Sequence, residues 1–330
     1  MGMGKDLNRP LAGAAEALFQ SPESIDYAVI DAFVWDNLKG NPAAVVLLSE
    51  WKDEKWLQDV AVEFNLSQTA YLVKKEKKAI DSKDGSDANG EAEPVIHDFD
   101  LRWFTPVSEV KLCGHATMAS SHLLYHSGIV GKTDVIHFHT KSGILAVRSV
   151  HSKEIDAEND ASEGTKIPKA DLVEMSFPLI TTTQSVSSIE ALPITLRNVG
   201  VVTAEKGSND YLIVELESSA AVENVQPNWQ ELLNCDCFGL IVTAPGDKAS
   251  GFDFVSRCFF PKQGINEDPV CGSAHCVLAS YWSTKLGKDS LLAYQASKRG
   301  GVLDLQIDKK VGRVHIRGRS AISMTGVIVQ

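Results

Sequence analysis

Two short stretches hold the residues best suited to do chemistry: Cys113-Gly114-His115-Ala116-Thr117 and Cys271-Gly272-Ser273-Ala274-His275. Each sets a thiol and a glycine ahead of small residues that open a helix. Each follows an Arg-x-Phe-x-Pro pattern, Arg102-Trp103-Phe104-Thr105-Pro106 and Arg257-Cys258-Phe259-Phe260-Pro261. The cysteines are 158 residues apart (271 minus 113), and a motif recurring at that separation suggests one supersecondary unit used twice. A thiol titrates near about 8.5 in a peptide, and a helix N-terminus lowers that value toward neutrality. The N–H groups of Gly114, His115, Gly272 and Ser273 would form anion sites able to hold a carboxylate. Helix dipoles also favour the charge that develops when a carbon acid loses its proton. Two such turns facing one carbon would supply a thiolate to remove a proton and a thiol to return it from the other face. That is stereoinversion without a cofactor, with Asp268 and His115 as polar partners that orient substrate or tune the thiols.

A free cysteine taken singly is more often a small buried apolar residue; equivalent positions in a repeat argue for chemistry. Cys235, Cys237, Cys258 and Cys276 lack that context and read as structural. Six cysteines at irregular spacing are no disulfide framework, and without a Cys-x-x-Cys pair structural zinc is not expected. His137 and His139 would share one strand face, with no carboxylate motif to make a metal site. Ser273, His275 and Asp268 have hydrolase-triad types but no Gly-x-Ser-x-Gly elbow. Arg299 could partner a carboxylate but reads more simply as a surface arginine.

Elements must bring the two turns together. Strand character runs over 27–34, a turn over Gly40-Asn41-Pro42, and a buried strand over 43–48. Apolar Trp56, Leu57, Val60 and Phe64 mark a helix within 53–64, and strand resumes at 69–73. Further strands are read at 101–104, 172–177, 211–216 and 239–243, with a hairpin over 135–150. The helix after Cys113 ends near Gly128 and the one after Cys271 at Gly287. Small residues early in both helices suit close wrapping by strands. The expected architecture is α+β, two pseudo-symmetric lobes, each a curved sheet or barrel around a central helix. Residues 25–130 with a C-terminal strand at about 318–330 would form the first lobe, and 131–317 the second. Residues 1–24 are expected to be a disordered extension, and 74–98 and 151–166 are too polar to bury.

At 330 residues with 44% hydrophobic and 23% charged side chains, the composition is that of a globular protein. Net charge of −11 argues against a nucleic-acid surface, and no apolar run reaches the length of a membrane span. Without a signal pattern near the N-terminus, the expected location is the cytosol.

These residues together resemble the PhzF (phenazine biosynthesis-like) family of isomerases, within the diaminopimelate epimerase and proline racemase fold group. The resemblance runs from about Ile25 to the C-terminus. It rests on Asp31-Ala32-Phe33, Gly40 to Val45, Asn65-Leu66-Ser67-Gln68-Thr69-Ala70, Arg102 to Pro106, Leu112 to Thr117 and Glu267 to His275. It implies two barrel-like lobes with the active site between them, and commonly a homodimer. Such members usually carry a glutamate proton shuttle where this chain has Gln68, and threonine where it has Cys271. An amide cannot replace the shuttle, whereas the cysteine pair resembles that of the cofactor-independent racemases. The resulting expectation is an amino-acid racemase or epimerase with Cys113 and Cys271 as the acid/base pair and no cofactor. Asn41, His115, Asp268 and Ser273 carry over as substrate contacts, and Gln68 becomes a hydrogen-bonding residue. The expected partner is a small amino acid or related carboxylic acid. Two other readings stand beside this: a proton-shift isomerase using Asp268 as base, and a non-catalytic ligand-binding member.

Overall fold

The computed structural model describes residues 24–36, 38–76, 94–150, 171–186, 192–196 and 199–329. The extension expected at 1–24 lies outside them except for Ser24, which opens a strand; so do 77–93 and 151–170, most of the two polar loops. The described residues form one continuous hydrogen-bonded sheet of 18 strands and five α-helices. The helices are α1 (Glu54–Phe64), α2 (Gly114–His126), α3 (Ser219–Glu223), α4 (Trp229–Asn234) and α5 (Gly272–Leu286). None is long and apolar enough to cross a membrane.

One strand order is used twice, giving two pseudo-symmetric lobes. In the first, Ser24–Ala32 pairs antiparallel with Asn41–Leu48, which runs parallel to Gln68–Lys74 across α1. Gln68–Lys74 pairs antiparallel with Ile96–Phe104, and after α2 the strand Val135–Thr140 returns parallel to Ile96–Phe104. In the second, Val201–Gly207 pairs antiparallel with Tyr211–Leu216, which runs parallel to Gly239–Pro245 across α3 and α4. Gly239–Pro245 pairs with Phe254–Phe260, and after α5 Ser290–Gln295 returns parallel to it. The strand Leu172–Pro178 joins the two, bonded to Gly143–Val150 on one side and Arg313–Gly318 on the other. The C-terminal strand Ser320–Val329 crosses back onto Ser24–Ala32.

Local chemistry explains the helices. Asp53 caps α1 by accepting the Trp56 N–H at 2.8 Å, and Asn65 ends it with a left-handed φ of 48°. Eleven residues make a marginal helix alone, so packing holds it. Leu57 is fully buried, worth about 1.5–3 kcal/mol, and Tyr71 OH donates to the Leu57 carbonyl at 2.6 Å. The central helices have no single apolar stripe and are buried nearly all round. In α2 the hydroxyls Thr117, Ser120 and Ser121 donate to carbonyls four residues back, at 2.6, 2.8 and 2.8 Å. Polar groups thereby enter the core with their bonds satisfied. Both helices contribute to one shared apolar core.

The expected left-handed glycines appear after both helices, with φ of 74° at Gly128 and 66° at Gly287. The strand Phe254–Phe260, whose residues are buried on both faces except for Arg257, has no alternation to betray it.

Candidate active site

Helices α2 and α5 meet end to end. A Cβ built on Gly114 would lie 4.0 Å from the Gly272 Cα, and one on Gly272 would lie 4.0 Å from the Gly114 Cα. Cys113 and Cys271 are the extended residues preceding these two helices, and neither is engaged as a side-chain cap. Both are buried and unbridged.

The Arg-x-Phe pattern explains why the approach is built twice. Arg102 grips Glu109 through Nε and Nη2 at 2.9 and 2.7 Å, with its guanidinium 5.1 Å from the Phe104 ring centre. Arg257 grips Glu267 through the same atoms at 2.7 and 3.0 Å, 5.0 Å from Phe259. Each two-pronged bond ties the strand entering the turn to the short strand that follows it.

The lining differs between the two sides. On the first, Cys113 Sγ contacts His115 Nδ1 at 3.3 Å, and His115 Nε2 contacts Ser67 Oγ at 3.3 Å. Burial lowers the His115 pKa to about 3, so its ring is neutral across the physiological range. On the second, Cys271 Sγ contacts Ser273 Oγ at 3.3 Å, and Ser273 contacts Tyr211 OH at 3.1 Å. Gln295 accepts the Cys271 N–H at 2.8 Å and donates to the Asp268 carbonyl at 2.6 Å.

Asp268 and Asn41 cross between the halves. The Asn41 amide donates to Asp268 Oδ1 at 2.7 Å and to the Val270 carbonyl at 3.0 Å, joining residues 227 and 229 apart in sequence. Burial pushes the Asp268 pKa up to about 6, against hydrogen bonds from Cys271, the Val270 N–H and Asn41 that pull it down. Asn41 is placed by its neighbours. Gly40 has φ of 79°, and a Cβ there would lie 2.3 Å from the Ala32 carbonyl oxygen, so only glycine fits. Arg299, expected at the surface, donates to the Gly40 carbonyl at 2.7 Å and pairs with buried Asp31 at 2.7 Å. It braces the Asn41 turn.

Gln68 is buried, and its Oε1 has no hydrogen-bond partner among the described residues. Strand alternation puts it on the same face as Ala70 and Leu72, the side of the shared core. Gly114 and Gly272 form the touching helix ends. His275 is buried away from Ser273: its Nδ1 bonds the Cys271 carbonyl at 2.7 Å and its ring stacks on Phe254. No hydrolase triad assembles.

One expectation is corrected. The helix N-terminus was expected to bring the thiols toward neutral pKa, yet burial pushes the Cys113 pKa well up, and the nearby charges of Asp268 and Cys271 push the same way. The His115 and Ala116 N–H groups oppose this without overcoming it. Desolvating a thiolate costs more here than one helix end returns. Cys113 therefore rests as a thiol.

Tyr211, Gln295 and Ser67 went unrecognised as site residues. Ser67 sits inside a quoted motif, and Tyr211 begins the strand equivalent to the one that Asn41 begins; the internal repeat was the signal for it. Gln295 had none, because its role depends on where the strand Ser290–Gln295 ends in space.

Comparisons with known proteins show the family and the fold. The family model described as "Phenazine biosynthesis-like protein" matches residues 30–326. An uncharacterised isomerase of Halalkalibacterium halodurans is 38% identical over 88% of this chain and 94% of its own. The mouse phenazine biosynthesis-like domain-containing protein 1 is 37% identical over 91% of this chain and 97% of its own. Among solved structures, a PhzF-family protein of Enterococcus faecalis has a TM-score of 0.72 at 35% identity, covering 93% of this chain and 100% of that one. A hydroxyproline epimerase of Agrobacterium vitis, 10% identical, shares the fold with a TM-score of 0.53 over 93% of each chain.

Proposed function

Since the chain belongs to the phenazine biosynthesis-like family, we propose that it is a cofactor-independent isomerase that inverts an amino acid or related small carboxylic acid at its α-carbon. The observation that carries this reading is the end-to-end meeting of two helices, each preceded by a buried cysteine. A substrate carboxylate would lie against the N–H groups of Gly114, His115, Gly272 and Ser273, where the two dipoles add. Asn41, Ser273 and Gln68 would offer polar contacts.

The roles of the thiols follow from their surroundings. Cys113 is held as a thiol and acts as the acid. Cys271, whose Sγ contacts Ser273 Oγ at 3.3 Å, is assigned the part of base, acting as a thiolate. That thiolate takes the α-proton from one face, the electron pair delocalises into the carboxylate, and Cys113 returns its proton from the other. Removing water as the lobes close would strengthen every charge interaction in the gap.

A second reading has one observation in its favour. Asp268, with a pKa near 6, could itself shuttle a proton along a small carboxylic acid. Incubation with single L-amino acids in deuterated water, with chiral product analysis, separates these readings. D-product carrying α-deuterium, lost in Cys113→Ser and Cys271→Ser, supports the first. Exchange surviving both substitutions and lost in Asp268→Asn supports the second. Binding without any exchange overturns both in favour of a ligand-binding member.

We place the boundary after Val150 instead of at 130, because the hairpin Val135–Val150 continues the first sheet. A homodimer, implied by the family, is tested by light scattering of the purified chain.

A further inference from the structure

Outside the gap between the helices, one pair of side chains has the makings of a second reactive site. Cys235 and Cys237 follow α4, where the Cys237 N–H donates to the Cys235 carbonyl at 2.9 Å. This three-residue turn folds the two side chains to the same side. Their sulfurs are 3.3 Å apart, with Cys237 donating its S–H to Cys235. A disulfide needs about 2.05 Å, so closure asks the sulfurs to move by little more than about 1 Å. Cys235 is half-buried, whereas Cys237, Cys258 and Cys276 are buried. The Lys262 ammonium bonds the Cys235 carbonyl.

We propose that Cys235 and Cys237 are a dithiol modification site that hydrogen peroxide closes to a disulfide, altering the Tyr211 side of the pocket. The S–H bond from Cys237 and the Lys262 charge lower the Cys235 pKa to about 7, while donation of its proton to Cys235 and, after that, burial hold Cys237 well above the thiol range. Cys235 is thus the attacking thiolate and Cys237 the resolving thiol. The Cys235 sulfur attacks one peroxide oxygen, the O–O bond breaks, and hydroxide leaves to be protonated to water. The Cys235 sulfenic acid is then attacked by Cys237 sulfur; the S–O bond breaks and a second water leaves with the Cys237 proton. Two thiols lose two protons and two electrons, and one peroxide becomes two waters.

The route to the pocket is short. Phe238, next to Cys237, stacks on Tyr211 with ring centres 5.9 Å apart and planes 9° apart, and its N–H bonds the Asp210 carbonyl at 2.9 Å. Tyr211 OH contacts Ser273, which contacts Cys271 Sγ. Drawing Cys237 toward Cys235 pulls on the residue that holds the face of Tyr211.

The experiment treats the reduced full-length chain with hydrogen peroxide and maps the cysteines by mass spectrometry. The expected product is one disulfide joining Cys235 to Cys237, with titratable thiols falling from six to four. Cys235 should alkylate at least about tenfold faster than Cys258 or Cys276. Cys237→Ser should accumulate a trappable sulfenic acid at Cys235, and Cys235→Ser should show neither product. Amide hydrogen exchange over 211–216 should quicken severalfold in the oxidised chain and stay unchanged in peroxide-treated Cys235→Ser. A disulfide among other cysteines, or an inert Cys235, overturns the site; a mapped disulfide with unaltered exchange over 211–216 overturns its link to the pocket. Neither readout depends on catalysis, so failure here is distinct from failure of the proposed isomerase reading.

Discussion

The two cysteine turns share a backbone and differ in everything that touches the sulfur. Cys113 leans on a neutral imidazole, His115, which is backed by Ser67. Cys271 leans on Ser273, which is backed by Tyr211, with Asp268 nearby. The same strand–turn–helix unit thus presents one thiol against a neutral imidazole and another against a hydroxyl, with the Asp268 carboxylate close to both. Repetition placed two helix ends face to face, and divergence at single positions, His115 against Ser273 above all, made their electrostatics unequal. In the proposed isomerase, that inequality would let one partner start with its proton and the other without.

Removing either sulfur tests the comparison most severely. Cys113→Ser and Cys271→Ser should each lower racemisation by about 10²-fold or more, the usual worth of a positioned acid or base, read by chiral chromatography. If one variant keeps full activity, the sides are not partners in a common reaction.

The two arginine clamps should differ in measurable degree. Arg257 also donates from Nη1 to the carbonyls of Glu223 and Val225, at 3.0 and 2.8 Å, whereas Arg102 adds an exposed contact with Glu54 at 3.0 Å. A lysine cannot reproduce the fork. Arg257→Lys should cost about 2–3 kcal/mol in urea unfolding and Arg102→Lys about 1 kcal/mol; equal losses would mean the extra carbonyl bonds contribute nothing.

Asp268 sets a pH dependence of known sign. Its folded pKa, about 6, is above the ordinary 3.8, so the folded state favours the protonated form. Its stabilising contribution is full below about 3.8 and lost as pH rises through about 6. Asp268→Asn should therefore leave stability unchanged near pH 3.5 and raise it on the order of 2 kcal/mol at pH 7–8. Activity should show an acid limb near pH 6 that disappears in the variant, if a low residual rate can be followed.

The smallest effect belongs to His115. Being neutral down to about pH 3, it cannot supply the acid limb. His115→Asn should lower the rate by less than about tenfold and leave the limb in place. A displaced limb would transfer the titration from the second side to the first.

Much of this arrangement was legible in the chain. The helix over 54–64 showed in the spacing of Trp56, Leu57, Val60 and Phe64, and its end in Asn65. Both glycine stops were readable, since a left-handed residue is a local demand. The paired turns stood out because the same residue types recur around each cysteine. The strand Phe254–Phe260 was harder to read, because a strand buried on both faces loses its period of two. Tyr211 and Gln295 escaped notice as parts of the site for another reason: their partners are 62 and 24 residues away.

The order of residues alone determined that two thiols would sit at helix starts, flanked by glycine and small side chains, within a repeated unit. Those are short-range matters of propensity, capping and recurrence. That Cys113 keeps its proton was decided only by tertiary structure, because ionisation depends on burial and on charges delivered from distant segments. Nothing adjacent to Cys113 announces that it will be dry and close to Asp268; folding brings them together, and the loss of solvent outweighs the helix end.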